Sequence, residues 1–145
     1  MNKDTENFLE TLLWVADDPG GETRPFEGMT IHQFAPEMIT GAEAFCAGFR
    51  AHLEKTGFDM ASFDRLERSF GGNCYFSLSG HGVGFFDECD DALSDLQDVI
   101  QTWAGHRRFE ELANMLEVNE SGKIDIGIIP EAIKEYRDRY FAVPA

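Results

Sequence analysis

Cys74-Tyr75-Phe76-Ser77-Leu78-Ser79 runs directly into Gly80-His81-Gly82-Val83-Gly84-Phe85-Phe86. In the first six residues Cys74, Phe76 and Leu78 alternate with Tyr75, Ser77 and Ser79, the period-two pattern of a half-buried strand. Gly80-His81-Gly82 can turn the chain through positive φ, so that Val83 to Phe86 returns antiparallel. The stretch therefore predicts a β-hairpin after segments that read as helix.

Upstream, Phe8, Leu9, Leu12, Leu13 and Ala16 fall at helical spacing, predicting a helix from Thr5 to Ala16 with Asp4 or Thr5 as N-cap. Asp17-Asp18-Pro19-Gly20-Gly21 ends it, because proline and paired glycines cannot continue the ladder. A loop over residues 19–28 and a short extended piece, Met29 to Phe34, follow. Pro36 opens a second helix to about Lys55, stopped by Gly57, with Ile39, Ala42, Cys46, Phe49 and Leu53 as its buried seam. A third, short helix spans about Met60 to Arg68, turning Phe63, Leu66 and Phe70 inward until Gly71-Gly72 breaks it.

Downstream, Asp90 to Ala104 predicts a helix closed by Gly105, and His106 to about Asn114 a further one. Met115 to Val118, the turn Asn119-Glu120-Ser121-Gly122 and Lys123 to Ile129 form a second hairpin, with Ile124, Ile126 and Ile128 on one face. Pro130 starts a last helix, Glu131 to Phe141. The expectation is an α+β fold, several helices packed on a small antiparallel sheet, as a single domain over residues 1–145. That length suffices for one proper core, and 13 Phe argue against disorder despite the charge.

The charge is one-sided. No Lys or Arg lies between Arg68 and Arg107, yet residues 87–98 hold Asp87, Glu88, Asp90, Asp91, Asp95 and Asp98. On a helical wheel extended back to Asp87, the side chains of Asp87, Asp91, Asp95 and Asp98 fall within about 80° of one another. Leu93, Leu96, Ile100 and Trp103 take the opposite side. Like charges at i and i+4 cost a few tenths of a kcal/mol each, and only Asp87 to Asp91 lie near a stabilising helix N-terminus. Such a face is either the solvated side of an ordinary amphipathic helix or a row of fixed charge that imitates a phosphate backbone. The net charge of −15 argues against direct DNA or RNA binding, and it also serves solubility on its own.

Partner contact is accordingly expected at Asp87, Glu88, Asp90, Asp91, Asp95 and Asp98, with Tyr75, His81 and Phe86 beside them as anchors. The bland alternative for Tyr75, Phe85 and Phe86 is core. His81, flanked by glycines, reads as a turn residue bonding locally, or else as a catalytic or metal-binding His. Asp87-Glu88-Cys89-Asp90-Asp91 lacks the glycine and terminal Glu of an EF-hand, and Gly80 to Gly84 is followed by acids rather than a phosphate-binding Lys. No GxSxG or HExxH occurs, so no catalytic residue, metal or cofactor is expected. Cys46, Cys74 and Cys89 form no CxxC pair and suit a reducing compartment. No apolar run reaches the ~20 residues of a membrane span and the N-terminus lacks a signal-peptide layout, so a cytoplasmic monomer or small homo-oligomer is expected.

Gly80-His81-Gly82-Val83-Gly84-Phe85-Phe86-Asp87 resembles the Gly-His-Gly-x-Gly-Phe-Trp-Asp segment of a group of small phage proteins of unknown function. Thr30-Ile31-His32-Gln33-Phe34-Ala35-Pro36-Glu37, with Cys46-Ala47 and small residues up to Phe49, resembles that group too, and the match covers roughly residues 29–104. The chain departs at Ser77-Leu78-Ser79, where the group carries a Thr-Arg-Asn-like turn, and at Phe86 in place of Trp. Phe34-Ala35-Pro36-Glu37-Met38 with Glu43-Ala44, Gly71-Gly72 and Phe76-Ser77-Leu78-Ser79 is similar to the ArdB/KlcA antirestriction family, small acidic proteins of mobile elements. Both resemblances imply a phage or mobile-element origin, and neither carries catalytic residues over. The expected function is inhibition of a host nucleic-acid-dependent defence protein, of anti-CRISPR or antirestriction type. The alternatives are a metal- or ligand-binding enzyme domain centred on His81 and a phage structural or assembly protein.

Overall fold

The computed structural model describes residues 1–18, 21, 23–79, 84–85, 96–105 and 107–144. Its elements are α1 (Lys3–Asp17), α2 (Pro36–Lys55), α3 (Met60–Asp64), α4 (Phe70–Ser77), α5 (Leu96–Trp103), β1 (Leu116–Val118), β2 (Ile124–Ile126) and α6 (Pro130–Phe141). The fold is α+β, helices around a two-stranded antiparallel sheet.

Helix α1 begins at Lys3, two residues before the expected Thr5. Asn2 is the N-cap, its side chain accepting from the Thr5 N–H at 2.9 Å, so Asp4 and Thr5 lie inside the helix. At the other end Asp18 adopts a left-handed conformation (φ 44°) and stops the helix. The buried Asp17 carboxylate then ties back the following loop, accepting from Arg24 Nε (3.0 Å), Arg24 Nη2 (2.7 Å) and the Phe26 N–H (2.8 Å). Met29 to Phe34 is not simply extended. Ile31–Gln33 forms a 3-10 turn, with the Thr30 N–H donating to Gln33 Oε1 at 2.7 Å. Phe34 then bridges in parallel to Ile124.

Helix α2 keeps its expected bounds, because Pro36 fits the first helical position. Its buried side adds Met38 and Phe45 to Ala42, Cys46, Phe49 and Leu53.

The segment 74–79 departs from its pattern: it is no strand but the end of α4 and the turn after it. Ser69 caps α4 by accepting from the Gly72 N–H at 3.2 Å. Phe70 through Tyr75, Ser77, Leu78 and Ser79 are all buried, so the supposed solvent face of Tyr75, Ser77 and Ser79 is as enclosed as the other. A helix buried all round has no apolar stripe, and its sequence carries no 3.6-residue signal. The paired glycines sit inside this helix rather than breaking it. A Cβ on Gly71 would stand 2.1 Å from the Asp4 carbonyl oxygen and 2.8 Å from the Phe8 nitrogen. Gly71 is therefore the point at which α4 lies against the backbone of α1. The first strand of the expected hairpin is thus absent, and Gly80 to Val83 and Phe86 lie outside the described residues. The third helix is also shorter than expected, ending at Asp64.

The helix expected over Asp90 to Ala104 is described from Leu96, and residues 90–95 lie outside the described ones. In place of a helix after His106, turns lead to a 3-10 segment, Ala113–Met115. The second hairpin is present in the register Leu116↔Ile126, Glu117↔Asp125, Val118↔Ile124.

Aromatic rings knit these elements together. Phe8 meets Tyr75, Phe109 and Phe141 edge-on at 5.7, 5.1 and 6.2 Å. Phe63, Phe70 and Phe85 form a second group, joined to the first through Phe49 and Phe45. Each such pair adds about 0.5–1.5 kcal/mol beyond the area it buries. No helix among the described residues is long and apolar enough to cross a membrane.

Candidate functional site

The acidic run is bracketed by two core anchors. On its N-terminal side, Gly84 (φ 121°) lies against α4, where a Cβ would stand 2.3 Å from Ser77 Oγ and 2.7 Å from the Ser77 nitrogen. Only glycine fits this approach in this backbone conformation. The Phe85 N–H donates to Ser77 Oγ at 2.9 Å, and the buried Phe85 ring packs on Phe63 (5.3 Å) and Phe70 (5.6 Å). Arg68 fastens the same corner, donating to Asn73 Oδ1 at 3.0 Å and to the Gly84 carbonyl at 3.4 Å. On the C-terminal side Leu96 is buried, and Trp103 stacks on Phe49 (5.3 Å) and His52 (4.9 Å) of α2. Burial, aided by Lys55, lowers the His52 pKa, which favours the neutral ring on this stack.

Leu96 and Trp103 thus take the inward side assigned to them by the helical wheel. Asp98 lies within α5. Asp87, Glu88, Asp90, Asp91, Asp95, His81 and Phe86, together with the Asp98 side chain, lie outside the described residues. Tyr75 is not a surface anchor. It is wholly buried on α4, stacked on Phe109 at 6.2 Å, and presents nothing for a partner to grip. Its hydroxyl has no hydrogen-bond partner among the described residues, while Ser79 Oγ donates to the Tyr75 carbonyl at 2.5 Å. Burial pushes the phenol pKa up to about 12, opposed by the nearby Ser79 hydroxyl.

The chain's own cations bear on whether the acids are neutralised. Arg24 pairs with Asp17, Arg50 with Asp4 (2.7 Å) and Asp64 (3.4 Å), and Arg107 with Glu110 (2.9 Å). Arg137 holds Asp125 at 2.9 Å, Arg139 meets Glu135 at 3.5 Å and Lys134 meets Asp138 at 2.8 Å. Arg108 donates to the carbonyls of Ala104, Tyr140 and Ala142 and lies over the Phe45 ring. The partners of these seven cations lie outside residues 87–98, and Arg68, which holds Asn73 and Gly84, stands at the N-terminal flank of the run.

Sequence reasoning passed over the buried Asp125–Arg137 pair and the outer margin of β1. A signal for the second was present: a lone short hairpin must leave strand edges to be covered or left open. Among the described residues no three His, Cys, Asp or Glu side chains converge as metal ligands would, and Cys46 and Cys74 are buried free thiols. Compared with protein-family models, curated proteins and solved structures, the chain matches none.

Proposed function

We propose that this chain is a small acidic accessory protein, of phage or mobile-element type, that inhibits a host nucleic-acid-dependent defence protein. The class in view is CRISPR or restriction machinery. Its acidic run occupies a basic groove that otherwise takes DNA or RNA. One observation carries this reading: six carboxylates between residues 87 and 98 without an interspersed Lys or Arg, in a chain of net charge −15. Two features of the fold support it. Phe85 and Leu96 fasten both flanks of the run to the core. The guanidinium groups of Arg24, Arg50, Arg107, Arg137 and Arg139 are engaged with carboxylates elsewhere. Charge of this kind gives fast association that weakens steeply with salt.

The test begins with a partner captured from host lysate and asks whether DNA or RNA displaces this protein from it. Changing Asp87, Asp91, Asp95 and Asp98 together to Asn should abolish capture while circular dichroism and thermal melting show an intact fold. Unchanged binding by that variant, or indifference to nucleic acid and to salt, would remove the basis for charge mimicry.

A further inference from the structure

Among the described residues one margin of the β1–β2 sheet is covered and the other is open. Beyond β2, Phe34 bridges in parallel to Ile124, and the Ala35 N–H donates to the Ile124 carbonyl at 2.9 Å. Beyond β1, no strand continues the ladder among the described residues. The Gly127 N–H donates to the Met115 carbonyl and the Asn119 N–H to the Lys123 carbonyl, both at 2.7 Å. Bonded and non-bonded pairs alternate along an antiparallel ladder, so Met115, Glu117 and Asn119 face β2. The N–H and C=O of Leu116 and Val118 then point the other way, and neither residue's main chain has a partner beyond the ladder among the described residues. Val118 is 45% exposed, which puts its part of this edge in water. Unpaired edges of this kind are templates for a further strand.

The surroundings state what strand would fit. A groove of about 460 Å³ runs from β1 across β2 to the start of α6, with Glu117, Val118 and Glu120 on the β1 side and Ile126, Ile128 and Ile133 beyond. Its described lining contains acids and no Lys or Arg. A second copy of a chain carrying −15 is repelled from such a site. We infer that the open edge of β1 docks an extended basic segment of a partner protein, which adds as a third strand and seats alternate apolar side chains in the adjoining groove. Main-chain bonds supply the affinity, and the alternation of Lys or Arg with apolar residues supplies the selectivity. The described lining holds no residue of 87–98, so this site and the acidic run can be tested separately.

The experiment is an NMR titration of the full isotope-labelled chain with a synthetic peptide of alternating Lys and Val. A control peptide of alternating Lys and Pro has equal charge but cannot pair as a strand. Saturable amide shifts centred on Leu116 to Asn119 and on Ile128 to Ile133 are expected with the first peptide alone. Val118→Pro removes the outward donor and leaves the bonds of Met115, Glu117 and Asn119 to β2 in place. It should weaken binding by about fivefold to tenfold, the worth of one backbone hydrogen bond. Because proline could disturb the hairpin, a double variant, Glu117→Gln with Glu120→Gln, tests the charge component with the backbone untouched and should weaken binding severalfold. Three results would overturn the inference: no saturation, equal binding of the Lys–Pro peptide, or affinity unchanged in both variants.

Discussion

Replacing Gly71 by Ala should destabilise the protein, although alanine is the better helix former. Both Gly71 and Gly72 lie inside α4, and in an open helix either change would gain about 1 kcal/mol. At Gly71 the new methyl would stand 2.1 Å from the Asp4 carbonyl oxygen and 2.8 Å from the Phe8 nitrogen, both main-chain atoms of α1. No side-chain rotation relieves that, so α1 and α4 must separate. Forcing a methyl into a packed site costs about 1–3 kcal/mol, and a backbone collision belongs at the upper end. The net expectation is a loss of about 2 kcal/mol. Gly72→Ala is the internal control. Its methyl would meet the Ser69 and Thr11 hydroxyls at 3.1 and 3.2 Å and the Arg68 Cγ at 3.7 Å, all side-chain atoms that need shift by only a few tenths of an ångström, so stability should stay within about 1 kcal/mol of the parent. Urea denaturation of both variants measures the difference from the midpoint at unchanged slope. If Gly71→Ala were as stable as Gly72→Ala, the close crossing of α1 and α4 would be wrong.

Tyr75→Phe removes a buried hydroxyl that lacks a partner and should raise stability by about 1 kcal/mol, or about 3 °C in Tm by calorimetry. It also has a pH signature. The folded phenol pKa of about 12 lies above the usual value near 10, so this group's contribution is intact below about pH 10 and is lost as pH rises through 12. Tyr75→Phe should therefore flatten the alkaline fall in stability, and an unchanged alkaline profile would mean that Tyr75 titrates as an exposed phenol. Asp125→Ala leaves Arg137, one-fifth exposed, without its bidentate partner and frees the Ile126 N–H. Loss of about 3 kcal/mol is expected, at the low end for breaking a buried pair because Arg137 still reaches water. A loss under 1 kcal/mol in urea would show that the pair is only a surface contact.

Much of the helical frame was legible in the residues themselves. The α2 bounds follow from Pro36 and Gly57, and the hairpin of β1 and β2 from Ile124 and Ile126 around the turn after Asn119. These signals are local: backbone angles, a missing N–H, an alternation against one buried face. The charge distribution was legible in full, because composition does not depend on folding. What sequence could not reveal was set by neighbours distant along the chain. Segment 74–79 alternates as a strand would, yet it is the end of α4 and the turn after it, because α1 encloses it and Gly71 lets the two backbones touch. Tyr75 became core rather than surface for the same reason. Likewise, only the arrival of Phe34 beside Ile124 decides that β2 is the covered margin of the sheet and β1 the open one. Periodicity reports how many sides of an element are buried, whereas the identity of what buries them is a property of the assembled chain.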